Sequence, residues 1–453
     1  MFQTLSETPI YEYTDSNNGS DPLWGMGSSC LVQIGERLFA SGTETIAGAP
    51  PQNNCRWLLY ECVAGKWVQR ITDRTHRRLL GAPLNEGMTR EPSPIVGLSD
   101  GTLWMSTNPT IEPGSVTGRS LPQLLQWNAD NVQSMVRPTV HLPRWPEAAR
   151  FCEHSYRSFV CDAANCELFL MHLVEYQSGY WSFRDRKGNW SACGKLEMPF
   201  EPAYPPGHQW MRVAYPTIQL KNREVHLCGM VSMPEPNSEW QKYKESLPGE
   251  QWADHFRRLF YTRSRDIRTG RFEPWVEITS RDSTCGRTTP CDLHVDDRGR
   301  VHILWIEVAI DKRLRAKFFP EARQSFQLNY VVLDDGVEIL RKTLVQYDEI
   351  DGQDQQSEIR YAKFHVGVGG RLFVYYDDSV YVPGCRMPFN HVFEIYDGSA
   401  RSPAYTLPLT SPLMNFYTTT PRAGSPPSNV LHLMGEPREN FHAIKHVAVK
   451  LMT

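Results

Sequence analysis

The chain of 453 residues has eleven cysteines and no C-x-x-C pair among them. That excludes the paired spacing of a zinc ribbon or a thioredoxin-type redox motif. Cys152, Cys161 and Cys166 lie near one another, as do Cys285 and Cys291, but neither group has a matching second half. An odd, scattered set reads as free or buried thiols in a reducing compartment. Excess positive charge is also lacking: 48 Lys and Arg face 51 Asp and Glu, a formal net charge of −3. A general basic field for nucleic acid is thereby excluded. No apolar run approaches the roughly 20 residues that a membrane helix needs. The opening MFQTLSETPIYEYTD has neither a basic region nor an apolar one. The expectation is a cytoplasmic protein with no membrane partner. Acids and histidines show no spacing that demands a metal, so no metal or cofactor is assigned. Oligomeric state is not legible.

Aromatic residues are what the chain has in quantity. They make up 11% of it, with 13 Trp and 19 Tyr. Such a surplus suits β-strands. It also suits surfaces that stack on pyranose rings.

A repeat organises the chain. Seven segments share one pattern: GERLFASG (35–42), DGTLWMST (100–107), NCELFLMH (165–172), NREVHLCG (222–229), RGRVHILW (298–305), GGRLFVYY (369–376) and SNVLHLMG (428–435). They recur at intervals of 57 to 76 residues. One position is held in turn by Phe39, Trp104, Phe169, His226, His302, Phe373 and His432. A flat ring stands there in every copy. A catalytic histidine would not be replaced by Phe or Trp while the pattern persists, so these histidines read as packing groups.

Each repeat carries about four short strand-like runs with turn residues between them. The fourth shows them best: RVAYPTIQL, REVHLCGMV, RLFYTRSRD and RFEPWVEIT. Seven such copies predict an all-β fold, a seven-bladed β-propeller with four-stranded antiparallel blades. The last copy is one strand short. PIYEYTD (9–15) is expected to complete it against HAIKHVAVKLM (442–452), which removes two open sheet edges. The reading is therefore one domain over 1–453. Its two helical insertions, 234–258 and 309–325, both join second to third strands and so crown one face.

Ser264-Arg265-Asp266 with Gly270 and Trp275 resembles a stretched Asp-box of the sialidase-like, BNR-repeat propellers. A closer resemblance runs through Arg212-Val213-Ala214-Tyr215-Pro216, then Tyr261 to Asp266, then Asp296 to Trp305, then Leu328-Asn329-Tyr330. This order is similar to the BNR-4-type propellers, which include polysaccharide lyases and an α-rhamnosidase. The resemblance covers blades four and five and implies a carbohydrate-active propeller.

Propeller geometry points the starts of the inner strands into a central funnel. The residues expected there are Arg90, Glu91, Glu153, His154, His208, Arg212, Tyr215, Arg287 and Arg360, with Glu307 at the funnel end of its strand. Arginines in such a ring match carboxylates, or else hold blades together through acidic neighbours. Loops on one face of a rigid scaffold are the usual place for a site, which adds Trp240 in the first insertion. Three functions fit. The first is β-elimination on a uronate-containing saccharide. Arg212 would neutralise the carboxylate, and His154, Tyr215, His208 and Tyr180 are the acid/base candidates. Arg90, Glu91, Arg287, Glu307, Arg360 and Trp240 would bind this acidic saccharide. The second is glycoside hydrolysis, for which Glu91, Glu153 and Glu307 are the available acids. The third is glycan binding or scaffolding without chemistry.

Overall fold

The computed structural model describes residues 2–25, 27–49, 52–73, 87–112, 118–133, 136–174, 178–199, 212–248, 254–350, 357–382, 385–396 and 400–451. They form seven antiparallel sheets, each traced outward from an inner strand. The inner strands are Leu31–Ile34, Ile95–Gly97, Ser158–Asp162, Arg212–Lys221, Arg287–Val295, Ser357–Val366 and Leu413–Thr418. Each packs against the next, and the last meets the first. The ring is a seven-bladed β-propeller, as the repeat predicts.

Burial falls from the axis outward, and the sequence pattern follows from that. The second strand of a blade is covered on both faces by neighbouring blades. Glu167–Val174 is buried at every position, and Val301–Val308 at all but its last. Strands covered on both faces read as near-continuous apolar runs, which is why these segments stood out as repeats. Outer strands such as Val337–Asp348 are mostly exposed.

The flat-ring position lies in the second strand and packs between sheets. Phe39, Trp104, Phe169, His226 and Phe373 are at most 1% exposed, and His302 is 5% exposed. The histidines are held by neighbours in their own blades. His226 Nδ1 pairs with the Tyr261 hydroxyl at 2.8 Å, His302 Nδ1 with Tyr330 at 2.6 Å, and His432 Nδ1 with His446 at 3.0 Å. An arginine lies over two of the Phe rings, Arg37 on Phe39 at 5.1 Å and Arg371 on Phe373 at 4.9 Å, while Phe169 stacks on Trp181 at 6.1 Å.

The N-terminal strand closes the ring, with bounds that differ from expectation. It runs Phe2–Glu12 and pairs along Ala443–Leu451, from Phe2 opposite Leu451 to Glu12 opposite Ala443. It is the outermost strand of blade seven. The first residues alternate weakly because an outer strand has little to bury, so FQTLSE does not read as a strand. Its anchors are Ile10 and Tyr11, both buried, and Phe2, whose ring is 5.4 Å from Tyr405.

Two short helices stand on one face. Helix α1 (Ser238–Glu245) is capped by Asn237, whose side chain accepts from the Glu239 and Trp240 N–H groups. Helix α2 (Lys312–Phe318) is capped in the same way by Asp311. Such caps satisfy backbone donors that the first turn leaves open. The helices meet through Trp240 against Phe319 at 5.4 Å and Tyr243 against Phe318 at 5.5 Å. Lys244 ties them together, 2.8 Å from Glu235 and 3.6 Å from Asp311. Among the described residues no helix is long and apolar enough to cross a membrane.

Candidate functional site

The helical face carries the funnel, and the chain itself narrows it. After the closing strand, residues 16–25 and 27–30 cross the mouth as a strap. Asn18 donates to the Arg90 carbonyl, and Arg90 Nε donates back to the Asn18 carbonyl at 2.8 Å. Gly25 N–H donates to the Tyr417 hydroxyl at 2.9 Å. Gly27 fits where no other residue does. A Cβ there would lie 1.8 Å from the Pro216 carbonyl oxygen.

Several inner strands bulge. In blade four the register slips between Ala214 and Thr217, in blade six between Ile359 and Tyr361, and in blade seven between Met414 and Phe416. A bulge leaves one residue out of the ladder and re-aims its side chain. Those residues include Tyr215, Arg360 and Asn415. Tyr215 has φ +51° and Tyr156, just before its strand, φ +39°. For bulky residues this region is strained, and such strain collects at functional sites. Pro216 tolerates the bulge because it has no N–H to lose. Its carbonyl accepts the Ser158 hydroxyl of blade three.

His154 is oriented by a carboxylate. Its Nδ1 is 2.9 Å from Glu91 Oε1. Glu91 also accepts from the Ser155 N–H and hydroxyl, each at 2.7 Å. Burial alone would raise the Glu91 carboxyl. The His154 imidazole, Arg157 and the Ser155 hydroxyl outweigh that and bring it down to about 2. Arg157, itself buried, donates to the Glu91 carbonyl at 3.1 Å.

Three rings close around that pair. Tyr156 is 4.2 Å from the His154 ring and 4.9 Å from Tyr215. Trp24 is 4.9 Å from His154, 5.0 Å from Tyr156 and 5.4 Å from Tyr215. Arg212 Nη2 donates to the Tyr156 hydroxyl at 3.2 Å, and its guanidinium lies 4.9 Å from that ring. Burial, then the neighbouring Tyr156, push the Tyr215 phenol well above its usual value. Tyr215 therefore keeps its proton at neutral pH. A cavity of about 20 Å³ lies behind the rings, lined by Trp24, Glu91, Tyr156, Arg157 and Tyr417 among others. That is room for a single water.

Asp21 begins the strap turn that carries Trp24, and its carboxylate accepts from the Leu23 N–H at 2.9 Å. Its surface is exposed, yet the funnel walls crowd it. Desolvation raises its pKa against the Leu23 bond, and Asp15 adds to the rise.

His154, Arg212, Tyr215 and Glu91 are thus brought together. Others are placed elsewhere. Arg90 serves the strap and sits 3.5 Å from Glu153, which is 1% exposed. Glu307 accepts from Thr279 and Trp305, each at 2.7 Å, and pairs with Arg281. It joins blades four and five and does not enter the cluster. Trp240 packs in the helical crown beneath Arg257, 4.9 Å away. Tyr180 lies on the third strand of blade three, away from the axis. His208 lies outside the described residues. Arg287 and Arg360 are exposed on the inner strands of blades five and six.

Sequence reasoning passed over Trp24, Tyr156, Arg157 and Asp21. Tyr156 and Arg157 stand in CEHSYRSF beside the chosen His154. Trp24 had a signal of its own, the glycines after it in LWGMGSS, since Gly permits close backbone approach.

The far end of the channel opens into a cavity of about 1180 Å³ lined by turns between first and second strands. Several of its charges are paired: Lys221 with Asp297, Arg300 with Asp296, Arg37 with Glu61. The helical face therefore holds the candidate site.

No family model matches the chain, and no curated protein matches it. The sialidase-like and BNR-4-type resemblance accordingly has no family match behind it. Solved structures of similar course include an α-L-arabinanase of Penicillium chrysogenum complexed with arabinobiose. It is 12% identical with a TM-score of 0.44, over 99% of each chain. An α-L-arabinofuranosidase of Fusarium graminearum with an iminosugar inhibitor is 10% identical with a TM-score of 0.47, over 98% of this chain and 97% of that one. A Dyadobacter fermentans protein of unknown function is 10% identical with a TM-score of 0.44, over 100% and 99%. The structural neighbours thus include glycoside hydrolases. Likenesses at this level transfer no chemistry, and the propeller assignment rests on the strand order itself.

Proposed function

We propose that the protein is a carbohydrate-active enzyme that hydrolyses a glycosidic bond at the funnel mouth. One observation carries the reading. A histidine fixed by an ionised glutamate stands against an aromatic wall, and the same strap turn presents a carboxyl of raised pKa. Hydrolysis needs a group that takes a proton from water and another that gives one to the leaving oxygen. His154, aimed by Glu91, serves as the base. Asp21, whose raised pKa favours the protonated form, serves as the acid. The half-buried faces of Trp24 and Tyr215 suit stacking on a sugar ring.

β-Elimination is the second reading, favoured by Arg212 lying on Tyr156. Tyr215 keeps its proton, so it would donate rather than abstract, and His154 would be the base. A panel of neutral and uronate-containing oligosaccharides separates the readings. Reducing ends without ultraviolet absorbance support hydrolysis, and an absorbing unsaturated product supports elimination. His154→Ala and Asp21→Asn should each lower kcat on the order of 100-fold or more. Binding without cleavage across the panel would leave a non-catalytic glycan-binding propeller. Failure to bind any member would refute the carbohydrate reading.

A further inference from the structure

Of the four arginines at inner-strand starts, two make no hydrogen bond or ion pair among the described residues. Arg90 serves Asn18 and Glu153, and Arg212 serves Tyr156. Arg287 opens the inner strand of blade five, and Arg360 is the bulged residue of the inner strand of blade six. These two strands pack side by side. Both residues are exposed. Among the described residues, neither makes a hydrogen bond or an ion pair.

The acids nearby do not explain this arrangement. Asp311, the cap of α2, faces Arg287 but is 2.7 Å from Arg313 and 3.6 Å from Lys244. Glu358 precedes Arg360 by two residues and is a single negative charge beside two positive ones. Burial first, then the charge of Arg360, lower the Arg287 pKa, and Glu358 and Asp311 offset only part of that. A fold gains nothing from setting two like charges on neighbouring inner strands. An anion between them turns the repulsion into binding, and paired guanidinium groups match planar oxyanions bidentately.

The geometry points to Arg287 and Arg360 as an anion subsite at the foot of the helical crown, taking the carboxylate of a uronate residue in the saccharide. This rests on the carbohydrate reading above and adds the substrate class. It also moves the carboxylate contact away from Arg212, which sequence reasoning had chosen.

The test uses the full chain, a uronate oligosaccharide and the same oligosaccharide with its carboxylates reduced to alcohols. Calorimetry should show the acidic form binding more tightly, on the order of 10- to 100-fold. Arg287→Ala with Arg360→Ala should erase that preference while leaving the weaker binding of the reduced form unchanged. Raising salt should weaken only the acidic form. Folding is checked by the melting temperature, which should not fall, because removing the pair removes repulsion. If the reduced form binds as well as the acidic form, the subsite is refuted and the carbohydrate reading stands. If the double variant keeps the preference, these residues are not the subsite. Tighter binding of a sulfated analogue than of the uronate would overturn the assigned class. If no saccharide binds, the carbohydrate reading fails and the subsite with it.

Discussion

Glu91→Gln probes the centre of the site, because its effect has a calculable pH signature. Glu91 is 3% exposed and accepts from His154 and twice from Ser155. Gln keeps the shape but removes the charge. At neutral pH the buried Arg157 loses its counter-charge, and breaking a buried pair from one side costs roughly 3–5 kcal/mol. The carboxyl falls from an ordinary 4.5 to about 2 on folding. A depressed carboxyl contributes stability above its unfolded pKa and loses it as pH falls through the folded one. For this shift the contribution is about 3 kcal/mol at pH 7, of which about 2 kcal/mol is gone by pH 3. Urea unfolding of both proteins, followed by tryptophan fluorescence from pH 7 to pH 3, is the assay. Other carboxylates titrate in both chains and cancel in the difference. The stability gap should be flat from pH 7 to about 5.5 and then narrow by about 2 kcal/mol. A gap that stays constant to within about 0.5 kcal/mol would refute the reasoning, since Glu91 would then not be a depressed, charge-paired carboxylate.

Deleting residues 1–12 removes the outer strand of blade seven and uncovers Ala443–Leu451. The truncated chain should aggregate or melt far lower, and equal melting curves would show that ring closure contributes nothing. His302→Phe places in blade five the ring found at Phe39 and Phe373. It loses the Tyr330 bond, about 1 kcal/mol, yet any saccharide cleavage or binding should stay within a few-fold. A loss of several orders of magnitude in the folded variant would return His302 to the chemistry. Gly27→Ala forces a methyl to within 1.8 Å of the Pro216 carbonyl. The strap must shift and carry Trp24 off His154. Activity should drop sharply while far-ultraviolet circular dichroism stays native, and unchanged kinetics would mean the strap plays no part in the site.

The architecture was legible because burial repeats. A second strand covered on both faces must be apolar along its length, and seven such runs count seven blades. The flat ring at Phe39, His226 and His302 marked a packing role, since one contact surface recurs while its chemistry changes. Helical insertions on one face followed from their place between second and third strands. The first residues of the closing strand were not legible, because an outer strand leaves too few side chains buried to impose a pattern.

The site divides differently. Polar residues at the starts of inner strands were readable as funnel residues, and His154, Glu91, Arg212 and Tyr215 do converge. Which of them stand together, and in what state, depended on the third dimension. Glu91 and His154 come from different blades, so their pairing has no local signature. Trp24 reaches them only because the strap returns from the outer edge of blade seven to the axis. Glu307 begins and ends like a funnel residue, but Trp305, Thr279 and Arg281 claim it. The four arginines look equivalent along the chain. Only the bulges and the strap separate the two that brace the fold from the two left exposed on neighbouring inner strands. A repeating pattern of burial is written residue by residue and survives in one dimension. A constellation assembled from loops of different blades exists only once the ring has closed.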